Sequence, residues 1–237
     1  MEFQKVVFYA RPAQRSIEMY GLDLEELASW RGARVLDCPG GPGALSALLR
    51  ETGLEVTACD PVYALGPEEL RQRALADLEQ TLTILRASTD LRPEFDLEAM
   101  RREHLKDLET FLADRQAHPD RYLAASLPEL PFADGSFDLV LSGHLLFSYA
   151  PIPEGGLMAG AGLDLHWHRR ALAELRRVSR QEVRLYPVHT IERQARRHPY
   201  AATLVAELPA PWQGRFQPTR FDQGFDGCVE GLLLTRT

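Results

Sequence analysis

Asp37 and Asp60 are the residues whose placement most directly suggests chemistry, because each closes a short apolar run and small residues lie between them. The first run, Val35-Leu36, leads through Asp37 into Cys38-Pro39-Gly40-Gly41-Pro42-Gly43, and a helical pattern follows from Ala44 to Arg50. Strand, glycine-rich turn and helix form the layout of a nucleotide-type site. Glycines let backbone approach a ligand closely, and a helix start presents free N–H groups. The second run, Leu54 to Cys59, ends at Asp60. An acid about 20 residues past such a turn, at the tip of the next strand, is placed to accept hydrogen bonds from ribose hydroxyls. An acid at the turn itself would repel a pyrophosphate, so Asp37 suits a ligand that carries positive charge and no phosphate. Two other readings compete. Gly41 to Ser46 is nearly G-x-G-x-x-G, with Ser46 in place of the small third residue of a dinucleotide site. A turn rich in glycine and proline can also bind nothing.

The same segment resembles motif I of the class I S-adenosylmethionine-dependent methyltransferases, roughly D-x-G-x-G-x-G. Asp37, Gly41 and Gly43 match; Pro39 stands where the first glycine usually is, with Gly40 beside it. A second stretch, Leu130-Pro131-Phe132-Ala133-Asp134-Gly135-Ser136-Phe137-Asp138-Leu139-Val140, is similar to the L-P-F-x-D-x-S-F-D-x-V stretch that many members carry between the third and fourth strands. Glu174-Leu175-Arg176-Arg177-Val178 resembles their E-x-x-R-V before the fifth strand. The motifs fall in the family's order over about 200 residues, a stronger signal than any one of them.

The resemblance implies S-adenosylmethionine as cofactor and direct methyl transfer, and the first expectation for the acceptor is a small molecule enclosed by the 62–118 insertion. It places Pro39, Gly40, Gly41 and Gly43 against the methionyl part, with Asp37 accepting from its ammonium. Asp60, followed by Pro61, would hold the ribose. Ser126 and Leu127 would flank the adenine, although the acid that often holds its amino group is replaced by Ala125-Ser126-Leu127. Ser142, Gly143 and His144 end the fourth strand, facing both cofactor and acceptor. His144 is the candidate catalytic group, as general base or hydrogen-bond donor, and a packing role competes with that reading. Tyr149 and His166 are candidates for acceptor binding. Two alternatives stay open: a silent protein that binds S-adenosylmethionine or S-adenosylhomocysteine, and a methyltransferase of macromolecules.

The elements that must position these residues follow from periodicity. The pattern predicts an α/β, Rossmann-like, doubly wound sheet, mostly parallel with an antiparallel C-terminal strand, in one domain over 1–237. Helical spacing over 16–30, broken near Gly21, makes 1–31 an N-terminal helical segment. Strands are expected at 33–37, 54–60, 122–125, 139–141 and 182–188, with helices at 43–51 and 164–178. Helical character is expected over 191–207, then strands at 216–221 and 229–235 around an Asp226-Gly227 turn. Between the second and third strands, two long helical patterns (67–88 and 93–116) make 62–118 a helical insertion at the carboxyl edge, where open α/β folds bind ligands. It reads as a lid or cap, or else as a structural hairpin or dimer surface, so a homodimer stays open. Residues 150–164, rich in proline and glycine, form a loop that could close over a ligand.

Composition limits the rest. The 237 residues, 45% hydrophobic and 26% charged, are ordinary for a soluble globular protein. The net charge of −7 disfavours nucleic acid. No run approaches the roughly 18 apolar residues of a membrane span, and 1–15 lacks the layout of a signal peptide, so the cytoplasm is the expected location. Three cysteines without a Cys-x-x-Cys pair suggest neither disulfide nor zinc. His166 and His168 have no evident third partner, so no metal is expected. Lysine occurs only at Lys5 and Lys106, which fits a GC-rich, bacterial-type genome.

Overall fold

The computed structural model describes residues 1–8, 10–160 and 162–237. Seven strands form one sheet in the order β3 (Tyr122–Leu123), β2 (Glu55–Cys59), β1 (Arg34–Asp37), β4 (Phe137–Gly143), β5 (Ser179–Tyr186), β9 (Glu230–Arg236) and β7 (Trp212–Pro218). All run parallel except β9, which is antiparallel to both its neighbours. A second sheet of two short parallel strands joins β6 (Gln194–Ala195) to β8 (Asp226–Gly227). Unbroken apolar runs such as Leu139-Val140-Leu141 are buried in β4 because helices cover both faces of the sheet.

One face carries α1 (Ala13–Met19), α2 (Leu24–Ser29) and α3 (Leu45–Glu51), whose Ile17, Leu27, Leu45 and Leu49 pack with Val35, Leu139 and Leu141. The other carries α6 (Leu165–Val178) and α7 (Pro199–Ala206), with Leu172, Leu175, Val178 and Leu204 against Val140, Val183 and Leu234. Asp164 caps α6 by accepting from the Trp167 N–H at 2.7 Å. The insertion after β2 is a pair of long helices, α4 (Pro67–Arg86) and α5 (Leu97–Ala117). Leu70, Ala74, Leu108 and Phe111 form a core there with Phe8, Tyr63 and Tyr122. No helix among the described residues is long and apolar enough to cross a membrane.

The register sets the site. Asp37 lies opposite both Ala58 of β2 and Leu141 of β4, so the chain leaves all three strands at one edge. Asp37, Asp60 and the Ser142-Gly143-His144 segment are thereby brought together. Residues 1–8 and 10–12 cross that edge as a strap. Phe3 pairs with Met158, its N–H donating to Leu157 O at 2.8 Å. The Phe8 N–H donates to Asp77 Oδ2 at 2.8 Å, and Lys5 Nζ lies 2.7 Å from Asp77 Oδ1.

The 16–30 spacing is broken near Gly21 as expected, since Gly21 takes φ +63° and Asp23 starts α2 by accepting from the Glu26 N–H. Buried Arg184 fixes that corner, donating to the carbonyls of Tyr20 at 2.9 Å and Gly21 at 3.2 Å. Several elements depart from the sequence pattern. Only Pro199–Ala206 of the 191–207 stretch is helical. Gln194 and Ala195 pair with β8 instead, and His198 caps the helix at Pro199, which has no N–H to extend it backwards. Asp226-Gly227 is therefore not a hairpin turn but β8, part of a long 219–229 crossing between β7 and β9. The third strand shrinks to two residues. The 150–164 loop is fixed in part by Phe3 and Tyr149; Ala161 lies outside the described residues.

Candidate functional site

A cavity of about 290 Å³ opens at the carboxyl edge of β1 and β2. Its walls hold Cys38, Pro39, Gly41, Asp60, Pro61, Ser126 and Leu127, which the sequence pattern had placed together, and Val62, Ala125, Leu145, Leu163 and Trp167. The strap roofs it with Val6, Val7, Phe8 and Arg11.

Asp60 is held by the turn it faces. Its Oδ2 accepts from the Gly41 N–H at 3.3 Å and its Oδ1 from the Val62 N–H at 2.9 Å. Burial nevertheless raises its pKa to about 6. Asp37, deeper still, accepts from Ser46 Oγ at 3.3 Å. Burial pushes its pKa to about 7, and the Arg11 guanidinium pulls only partly the other way. The glycines do different jobs. Gly41 takes φ +57°, and a Cβ there would meet nothing within 4 Å, so backbone is bared towards the cavity. Gly40 instead makes room for Tyr63, whose Oη would be 2.4 Å from a Cβ at that position. Tyr63 donates to the Gly41 carbonyl at 2.7 Å and so fixes the turn. Gly43 packs under the strap, where a Cβ would be 3.2 Å from the Arg11 carbonyl oxygen. Asp37, Gly40, Gly41 and Gly43 thus line a narrow extension of about 20 Å³ beside Tyr20 and Arg11.

Ser142 is buried and lines neither this cavity nor the next, and Gly143 abuts Tyr20. His144 does line the cavity, at φ +54°, a left-handed conformation rare outside glycine. Its Nε2 lies 3.0 Å from Met19 Sδ. A thioether only accepts, so Nε2 carries the hydrogen and Nδ1 keeps a bare lone pair. Burial holds its pKa well below the usual imidazole value, with Arg11 acting in the same direction, so the ring is neutral.

His144 also lines a second cavity of about 90 Å³, together with Val7 and Arg11. That cavity is bounded by the strap, by Thr81, Leu85, Phe95, Met100 and His104 of the insertion region, and by Ser148, Tyr149, Phe221 and Phe225. Tyr149, expected near an acceptor, is therefore there, its hydroxyl accepting from the Val7 N–H at 3.2 Å. His166 is not: it is exposed on α6 and lines neither cavity. Its neighbours do the work. Trp167 faces the first cavity, and buried His168 accepts the Phe147 N–H at 2.7 Å, fixing the 144–149 segment. Sequence reasoning missed Arg11 and Ser148 because both lie in irregular segments with no periodicity, and it named His166 where Trp167 is the member of the triplet that lines a cavity. No group of three or more His, Cys, Asp or Glu among the described residues could hold a metal.

No known family model matches the chain. An uncharacterised protein of Methanocaldococcus jannaschii is 23% identical over 192 residues, 79% of this chain and 80% of that one. Solved structures similar to it include a SAM-dependent methyltransferase of Aquifex aeolicus, with a TM-score of 0.47, 12% identity and coverage of 96% of this chain and 94% of that one. Another is 1,6-didemethyltoxoflavin-N1-methyltransferase of Burkholderia thailandensis, with a TM-score of 0.47, 14% identity and coverage of 94% and 76%. Magnesium protoporphyrin IX methyltransferase of Synechocystis, solved with SAM bound, has a TM-score of 0.45, 14% identity and coverage of 90% and 78%. The deciding observation is the sheet itself: five parallel strands ordered β3-β2-β1-β4-β5, then one reversed strand slotted between β5 and the edge strand. The fold is that of the class I methyltransferases. Asp37, the Gly40–Gly43 turn and Asp60 lie together at the carboxyl edge of β1 and β2.

Proposed function

We propose that the chain is an S-adenosylmethionine-dependent methyltransferase acting on a small molecule. The observation that carries the reading is the pair of cavities that share Arg11 and His144, the first lined by the buried acid Asp60, with Asp37 in its narrow extension, and the second mostly apolar. The residues of the first fit the cofactor's chemistry. Asp60 can accept from ribose hydroxyls, and Asp37 from an ammonium. Arg11 lines the same cavity and acts electrostatically on both acids. Val62, Leu127 and Leu145 offer apolar surface to a base, with Ser126 as its polar neighbour. Two acids against one arginine make a poor phosphate site, which disfavours a dinucleotide. When bound, the cofactor supplies a methyl group to a nucleophile, whose new bond to carbon forms as the C–S bond breaks with its electron pair left on sulfur.

The protein's part is alignment and exclusion of water. The strap covers both cavities, α4 and α5 wall the second as a cap, and His144 Nδ1 is free to accept the acceptor's proton. A second cavity of only about 90 Å³ suits a small acceptor better than a macromolecule. The narrowness beneath Gly43 favours one rival, a binding protein without transfer. Calorimetry with S-adenosylhomocysteine and with NAD tests the reading. Binding of the first alone, weakened at least tenfold by Asp60→Asn, is expected; binding of NAD instead would refute it. Consumption of S-adenosylmethionine with a metabolite extract separates the enzyme from the silent binder.

A further inference from the structure

The second cavity carries information about its occupant. Phe3, Phe95, Tyr149, Phe221 and Phe225 give it an aromatic lining, which favours a planar ring by edge and face contacts. The formal charges around it are already answered. Asp222 accepts from Arg92 at 2.6 Å and from the Gly224 N–H at 2.8 Å. Arg15 lies 3.5 Å from Glu103, and Arg11 acts electrostatically on Asp37 and Asp60. His104 and His144 are both pushed down by burial, His104 to about 4, so both are neutral. An ammonium would find no uncommitted carboxylate here, and a carboxylate would have to displace an existing partner.

His144 and Ser148 both line this wall, and each has a polar atom without a partner among the described residues. One is His144 Nδ1. The other is the Ser148 hydroxyl oxygen, in a residue only 2% exposed. A buried hydroxyl without a partner costs about 1–3 kcal/mol. The backbone that presents it is also costly, because His144 and Phe147 both adopt positive φ (+54° and +65°), uncommon for any side chain and rare for a bulky one. Strain and an unsatisfied hydroxyl in one six-residue segment that lines a cavity mark a built site.

Resting on the reading of the first cavity as the cofactor site, we propose that the second binds an uncharged aromatic molecule bearing a hydroxyl group. The ring lies among the phenylalanines, the O–H points to His144 Nδ1, and Ser148 Oγ bonds to a second polar atom or to the same oxygen.

The test is binding, not turnover. Protein with and without S-adenosylhomocysteine is titrated with 1-naphthol, 1-naphthoate and cyclohexylamine, followed by saturation-transfer NMR and calorimetry. Naphthol is expected to bind, at least tenfold more tightly than either ion. Ser148→Leu, which fills the cavity, should weaken naphthol at least tenfold and leave S-adenosylhomocysteine unchanged. Leu85→Trp, which fills it from α4, should do the same and serves if the first variant fails to fold. Absence of naphthol binding, tighter binding of either ion, or indifference to both filling variants overturns the assignment. Naphthol binding lost in these variants, in a protein that never binds S-adenosylhomocysteine, would leave this cavity assigned and overturn the function proposed for the first.

Discussion

Asp37 is a buried carboxylate that accepts a long hydrogen bond from Ser46, and its proton affinity shows the cost. Burial raises its pKa to about 7 and that of Asp60 to about 6. A cationic ligand that uses these groups as acceptors must find them ionised. As pH falls through 7 and then 6 each takes a proton, and binding must expel it again, at about tenfold in affinity per pH unit per proton. The affinity for S-adenosylhomocysteine should therefore drop at least tenfold between pH 8 and pH 5.5. Calorimetry in buffers of different ionisation heat should show proton release at pH 6.5. Asp37→Asn should flatten the upper part of the profile; an affinity indifferent to pH would remove Asp37 from the site. His144 allows a complementary test. Asparagine tolerates positive φ, so His144→Asn keeps the backbone and removes Nδ1. Turnover should fall roughly 10²-fold or more if the imidazole takes the proton, with S-adenosylhomocysteine affinity within about twofold of wild type. Equal turnover would make His144 a packing residue.

The strap and the insertion are tied at the buried Asp77, besides the Met1 ammonium donating to Asp90 at 2.6 Å. Asp77 of α4 accepts from Lys5 and from the Phe8 N–H, and Arg73 joins it at 2.8 Å. Asp77→Asn keeps the shape and weakens all three contacts. It should cost about 1–3 kcal/mol of stability and speed amide exchange at residues 3–8 well before the sheet exchanges. An unchanged strap would show that it is held by Phe3 and Met158 instead. The strap also marks where sequence reading stopped. β1, β2, β4 and α6 were legible because apolar runs and 3.6-residue spacing are local signals. So were Asp37, Gly41 and Asp60, tied to strand ends by a few residues of chain. Arg11 and Ser148 were not, because their importance comes from tertiary contact between segments far apart in sequence. The 191–207 stretch failed for the same reason. Its local pattern is helical, but Gln194 and Ala195 pair with β8, a partner that no window around them contains.

Across the whole molecule, buried histidines outnumber buried acids with raised pKa, and this sets the response to acid. Burial pushes His104 and His168 down to about 4 and His198 to about 3, and moves His144 and His189 in the same direction. An unfolded chain protonates histidine near pH 6.5. Below that pH the unfolded state binds protons that the folded state refuses, so the stability conferred by these groups is present above about 6.5 and lost as pH falls. Asp37 and Asp60 act oppositely, because folded they keep protons up to about 7 and about 6. Near pH 5 the imidazoles prevail, and each excess proton on the unfolded chain is worth about 1.4 kcal/mol per pH unit. The urea midpoint should hold or rise slightly from pH 7.5 to 6.5, as Asp37 is protonated, and then fall steeply to pH 5. His198→Phe, which keeps an aromatic ring against Phe147 and Tyr200, should flatten the acid limb by about one proton's worth of slope. A midpoint that kept rising to pH 5 would mean that these histidines are open to water, and with them the packing of the 144–149 segment onto His168.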